Sequence, residues 1–84
     1  MYIDNVVILS TVGALMPLLI ELDQEDDGRW FGVISDLPGV MAYGASREEA
    51  AAATQLLALQ VLAERIEHGE EVPAAVADLF AVRS

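Results

Sequence analysis

Residues 26–50 read DDGRWFGVISDLPGVMAYGASREEA, and their order of turn, strand, kink, strand and helix start decides the fold. Asp27-Gly28 is a hairpin signal, because glycine enters positive φ at little cost. Residues 30–35 are aromatic and β-branched, the composition of a strand. Phe31 and Val33 fall on one face of it, and Trp30, Gly32 and Ile34 on the other. Pro38-Gly39 redirects the chain, and residues 40–43 read as a short third strand. Ser46 with Glu49 three residues later is a capping box, which sets a helix N-terminus. Gly28, Pro38, Gly39, Gly44, Ser46 and Glu49 are therefore the structural motif of this stretch.

Working outward, residues 18–23 alternate. Leu18, Ile20 and Leu22 share one face, and Leu19, Glu21 and Asp23 the other, which predicts a half-buried strand joined to the next by a turn at 25–28. The helix extends over 47–67, and Gly69 suits its C-terminal left-handed position. Two apolar stripes run along it at about 100° per residue. Ala52, Leu56, Leu59, Ala63 and Ile66 form the stripe assigned to the sheet. Ala50, Leu57 and Val61 lie nearly opposite and are assigned to an oligomer interface. Residues 74–82 fit a short helix or a last strand equally. Residues 3–9 are β-branched and read as a strand. The predicted class is α+β: an antiparallel sheet of three to four strands with one long helix on one face, in the order β-β-β-α with a possible last β.

The 84 residues make one domain. A chain this short buries only roughly 60% of its unfolded surface. Yet 55% of its residues are apolar, above the usual ~45–50%. Surplus apolar surface argues for an oligomer or an obligate partner, and a homo-oligomer, a dimer or higher, is expected. Residues 1–15 read as an apolar N-terminal extension that joins that interface, with Met16 as an alternative start. The apolar run 6–20 falls short of the ~18–20 residues of a membrane span and is broken by Gly13 and Pro17. Residues 1–5 lack the basic start of a signal peptide. No membrane association is expected, and a cytoplasmic location is. The net charge of −10 disfavours direct binding to nucleic acid and suits a basic partner. With no cysteine, the chain has no disulfide framework, thiolate metal site or thiol nucleophile.

Asp36-Leu37-Pro38-Gly39, Tyr43-Gly44-Ala45-Ser46 and Glu48-Glu49-Ala50, preceded by an acidic strand and Asp27-Gly28 and followed by an Ala/Leu helix, resemble the N-terminal domain of HicB-type antitoxins. The resemblance covers residues 18–73. Val40 stands where the family commonly has Cys, and Gly44-Ala45-Ser46 where it has Gly-Asp-Thr; Ser keeps the cap. Many members carry a C-terminal DNA-binding domain, and this sequence runs only to Ser84. The resemblance implies a partly ferredoxin-like sheet and helix that docks on a small basic HicA-type ribonuclease toxin and masks its active site.

No residue pattern points to catalysis, a metal or a cofactor. Residues 23–28 approximate a calcium loop only loosely, with no distal Glu in register. His68 sits at the helix C-terminus, where a cation is favourable, with no nucleophile identifiable beside it. Gly44-Ala45-Ser46 precedes a helix, but Ser46 is committed to the cap and Glu48 and Glu49 repel an anion. Gly28 and Gly32 do not form a dinucleotide fingerprint. The acidic hairpin residues Glu21, Asp23, Glu25, Asp26 and Asp27 are the candidate partner-binding surface, with Trp30 as an aromatic anchor. The expectation is a non-enzymatic antitoxin-like module. The alternative is a solitary oligomeric module of the same fold, with a structural or small-ligand role.

Overall fold

A computed structural model describes residues 17–84. The strand expected over 3–9 and the interface role expected for 3–15 lie outside the described residues. Three strands form one antiparallel sheet: β1 (Ile20–Gln24), β2 (Trp30–Ile34) and β3 (Met41–Gly44), in the order β1-β2-β3. They are followed by the long helix α1 (Arg47–Glu67) and the short α2 (Ala74–Ala77). The fold is α+β, with α1 packed on one face of the sheet. Among the described residues no fourth strand forms: residues 74–77 are helical and residues 78–84 have no regular structure. Leu79, Phe80 and Val82 are exposed there, so this segment offers no alternation of buried and open sides to stabilise a strand.

Each connection has a local cause. Between β1 and β2, Gly28 donates its N–H to Glu25 O at 2.9 Å, and Glu25 N–H donates to Arg29 O at 2.7 Å. Gly28 stands at φ +95°, the left-handed position of a three-residue hairpin loop. Asp27 ties the turn by accepting from Arg29 N–H at 3.1 Å and pairing with its Nε at 2.9 Å. Between β2 and β3, two turns share Leu37: its N–H reaches Ile34 O, and Val40 N–H reaches Leu37 O, both at 3.0 Å. Proline second and glycine third, with Gly39 at φ +94°, is the type II pattern. The paired turns drive Leu37 and Val40 inward, and both are buried. Full burial of a leucine contributes about 1.5–3 kcal/mol, so this kink is part of the core as well as a reversal.

The cap of α1 is reciprocal. Ser46 Oγ accepts from Glu49 N–H at 3.1 Å, and Glu49 Oε1 accepts from Ala45 N–H at 2.8 Å. Helix bonding stops at Gly69, where Gly69 N–H reaches Ile66 O and Glu70 N–H reaches Arg65 O, the two bonds of a Schellman motif.

The face of α1 that meets the sheet corrects the expectation. Ala50, Thr54, Ala58 and Leu62 are its buried residues, and Leu57 and Val61 pack beside them against the core. Leu56, Leu59 and Ile66 point outward, between 56% and 58% exposed. Ala50, Leu57 and Val61 thus belong to the helix–sheet contact, not to an outward oligomer surface. Shape decides this. Gly32 and Gly44 present bare backbone to the helix, and an added Cβ would overlap Thr54 Oγ1 at the first and Ala50 N at the second. Only a stripe of small side chains approaches glycines so closely; a leucine stripe would overpack. The core comprises Ile34, Leu37, Val40, Ala58, Leu62 and Val76, flanked by Leu18, Ile20 and Val72. Thr54, fully buried, donates its hydroxyl to Ala50 O at 2.7 Å, so no polar atom is stranded.

Candidate functional site

One face of the sheet carries α1; the other has no element of the described residues upon it. Antiparallel register places cross-strand partners on the same side, so two rows are fixed on the open face: Asp23–Phe31–Tyr43 and Glu21–Val33–Met41. Alternation adds Leu19. Phe31 and Val33 on the central strand are half-buried, while Leu19, Met41 and Tyr43 are exposed. Phe31 and Tyr43 are in tilted contact, with ring centroids 5.8 Å apart. The result is an apolar and aromatic floor bounded on the β1 side by two exposed carboxylates, Glu21 and Asp23.

The hairpin tip closes one end of this floor. Tyr43 donates its hydroxyl to Glu25 Oε2 at 3.0 Å, and the Arg29 guanidinium lies 4.5 Å from the Tyr43 ring centroid. Arg29 also pairs with Asp27. The hydrogen bond to the Glu25 carboxylate, above the other influences, raises the Tyr43 pKa. The backbone N–H of Arg29, donating to the Asp27 carboxylate, is the chief cause holding that group below its usual range. Exposed charges like these interact weakly through solvent. Their main role is to fix where the carboxylates and ring stand.

The expected docking residues therefore divide into three places. Glu21 and Asp23 stand on the open face. Glu25, Asp26 and Asp27 belong to the tip, with Glu25 half-buried and Asp26 and Asp27 exposed. Trp30 is on the opposite face: it pairs in register with Gln24 and Gly44, and Arg47 from the helix start covers its ring at 5.2 Å. The aromatics beside the acidic strand are Phe31 and Tyr43, which the sequence reading placed in strands without assigning a role. Their signal was available, since Phe31 and Val33 alternate away from Gly32 and Ile34. The missing information was which face the helix would take.

Among the described residues, no three His, Asp or Glu side chains are placed to share a metal ion. The His68 ring Nδ1 lies 2.9 Å from Glu64 O at the end of α1, a capping position. A shallow groove beside α2 is lined by Asp36, Arg65, Glu71 and Val72. Among the described residues, no helix is long and apolar enough to cross a membrane. Comparison with protein-family models, with curated proteins and with solved structures finds no match to this chain.

Proposed function

We propose that the chain is a protein-binding module, without catalysis of its own, whose open sheet face docks on a basic protein. The observation that carries this reading is the uncovered floor of Phe31, Val33, Met41 and Tyr43 edged by Glu21 and Asp23. Interfaces of this kind combine desolvated aromatic anchors with charged rims that steer encounter. A net charge of −10 favours a basic partner over nucleic acid or an anionic membrane. The HicB resemblance of residues 18–73 makes a small HicA-type ribonuclease toxin the partner of choice. An RNA-binding toxin must be basic, and an acidic lid over its active site would act as a cytoplasmic antitoxin.

The test is co-expression with the basic open reading frame neighbouring the gene. Co-purification and relief of growth inhibition are expected; absence of both rejects the antitoxin reading. Glu21→Gln with Asp23→Asn should slow association and flatten its salt dependence, and Tyr43→Ala should speed dissociation. Binding that ignores all three substitutions would leave the antitoxin role standing and remove the sheet face as its site.

A further inference from the structure

The outward side of α1 carries a second surface. Ala52, Leu56, Leu59, Ala63 and Ile66 are all exposed, and they recur at alternating steps of four and three residues. That is the a/d spacing of a coiled-coil seam, turned away from a sheet that the Ala50–Thr54–Ala58–Leu62 row already covers. Its flanks, Gln55 and Gln60, are exposed and uncharged. No residue from 50 to 63 is charged, although the chain has 14 acidic and 4 basic residues. The charges of α1 are confined to its two ends.

We propose that this seam binds a second copy of the same chain, forming a two-fold dimer through α1. Charge selects the occupant. Two copies carrying −10 each repel over most of their surfaces, and the uncharged middle of α1 is where they meet without like charges in contact. A basic partner gains no electrostatic advantage there; its attraction lies on the acidic sheet edge, across the sheet from the helix. The apolar spacing is self-complementary under a two-fold axis. From Ala52 to Ile66 the seam is about 21 Å long at the helical rise per residue, which puts it at or below the low end of the ~1,200–2,000 Å² of stable interfaces. The dimer should therefore dissociate on dilution into the low micromolar range. It would present two open sheet faces pointing outward, whatever those faces bind.

The experiment is sedimentation velocity on the whole chain from low micromolar to submillimolar concentration. A monomer–dimer equilibrium is expected. Leu56→Gln with Leu59→Gln should raise its Kd about tenfold or more, with far-ultraviolet circular dichroism unchanged. Should that variant fold poorly, Gln55→Glu with Gln60→Glu leaves every apolar side chain in place. It should weaken the dimer comparably, with recovery in high salt. Met41→Gln, on the sheet face, should leave Kd unaltered. A monomer at every concentration overturns the proposal, including one whose melting temperature falls on Leu59→Gln, because residues 1–16 of the same chain would then cover the seam. A dimer indifferent to the helix substitutions, or lost through Met41→Gln alone, places the second copy elsewhere and overturns it equally.

Discussion

Gly32→Ala is the sharpest probe of how closely α1 lies on the sheet. Gly32 sits in mid β2 on the helix side, between Leu22 and Ala42. A Cβ there would overlap Thr54 Oγ1 and stand 3.1 Å from Leu22 Cδ2 and 3.2 Å from Ile20 Cγ2. Thr54 has little freedom to yield, being 0% exposed with its hydroxyl held on Ala50 O. Overpacking of this kind costs about 1–3 kcal/mol. Replacing glycine with alanine in a strand interior returns about 0.5–1 kcal/mol of backbone entropy. The net loss should be about 0.5–2 kcal/mol, a fall of a few degrees or more in Tm for a domain this small. Thr54→Ala alone should cost about 1 kcal/mol in lost packing and hydrogen bonding. The double variant removes the overlapping atom, so its loss should fall short of the sum by about 1 kcal/mol. Urea unfolding of the four proteins, with unchanged slopes, measures the cycle. Additive losses, or a Gly32→Ala protein as stable as its parent, would refute the close-approach argument and reopen the question of which helix face meets the sheet.

Two further outcomes follow from local geometry and titration. Ser46→Ala should cost about 1 kcal/mol in thermal or urea unfolding through the lost acceptor for Glu49 N–H. Gly39→Val should cost more, about 1–2 kcal/mol, through backbone strain alone, since nothing lies within 4 Å of an added Cβ at φ +94°; an unchanged Tm there would contradict the type II turn. The Tyr43 pKa is raised by its bond to Glu25, so its stabilisation is present below the usual tyrosine range and fades as pH rises through the folded value. The Asp27 pKa is lowered by Arg29 N–H, so its share is present above the usual carboxylate value and fades as pH falls through the folded one. Stability measured across pH should lose part of its alkaline slope in Tyr43→Phe and part of its acid slope in Asp27→Asn.

The sequence exposes those parts of the fold whose causes are local. Helix bounds 47–67 follow from the Ser46–Glu49 box and Gly69, each acting within one turn, and they match α1 residue for residue. Strand ends are set by partners, so β1 begins at Ile20 opposite Ile34 rather than at Leu18. Periodicity alone selects the wrong helix face because leucines outweigh alanines in any apolar count, whereas packing distance is governed by what the sheet presents. Gly32 and Gly44 in adjacent strands were the clue, since bare backbone on a sheet calls for small side chains opposite. Trp30 was grouped with the acidic hairpin through nearness in sequence; alternation alone puts it across the sheet from Asp23. Phe31 and Tyr43 become a candidate site only when the helix is placed on the other side of the sheet.

The meander order β1-β2-β3, with α1 next in the chain, has a kinetic consequence. Among the described elements, every neighbouring pair in space is also consecutive in sequence, apart from the docking of α1 against β1 and β2. Both hairpins close loops of a few residues, which takes microseconds. Low contact order of this type supports folding in milliseconds or less. The slowest step should then be the seating of α1 on the finished sheet, where Gly32 must slide beneath Thr54. Substitutions at that junction should therefore slow folding, while those in the outer helix seam should leave the rate of monomer folding untouched.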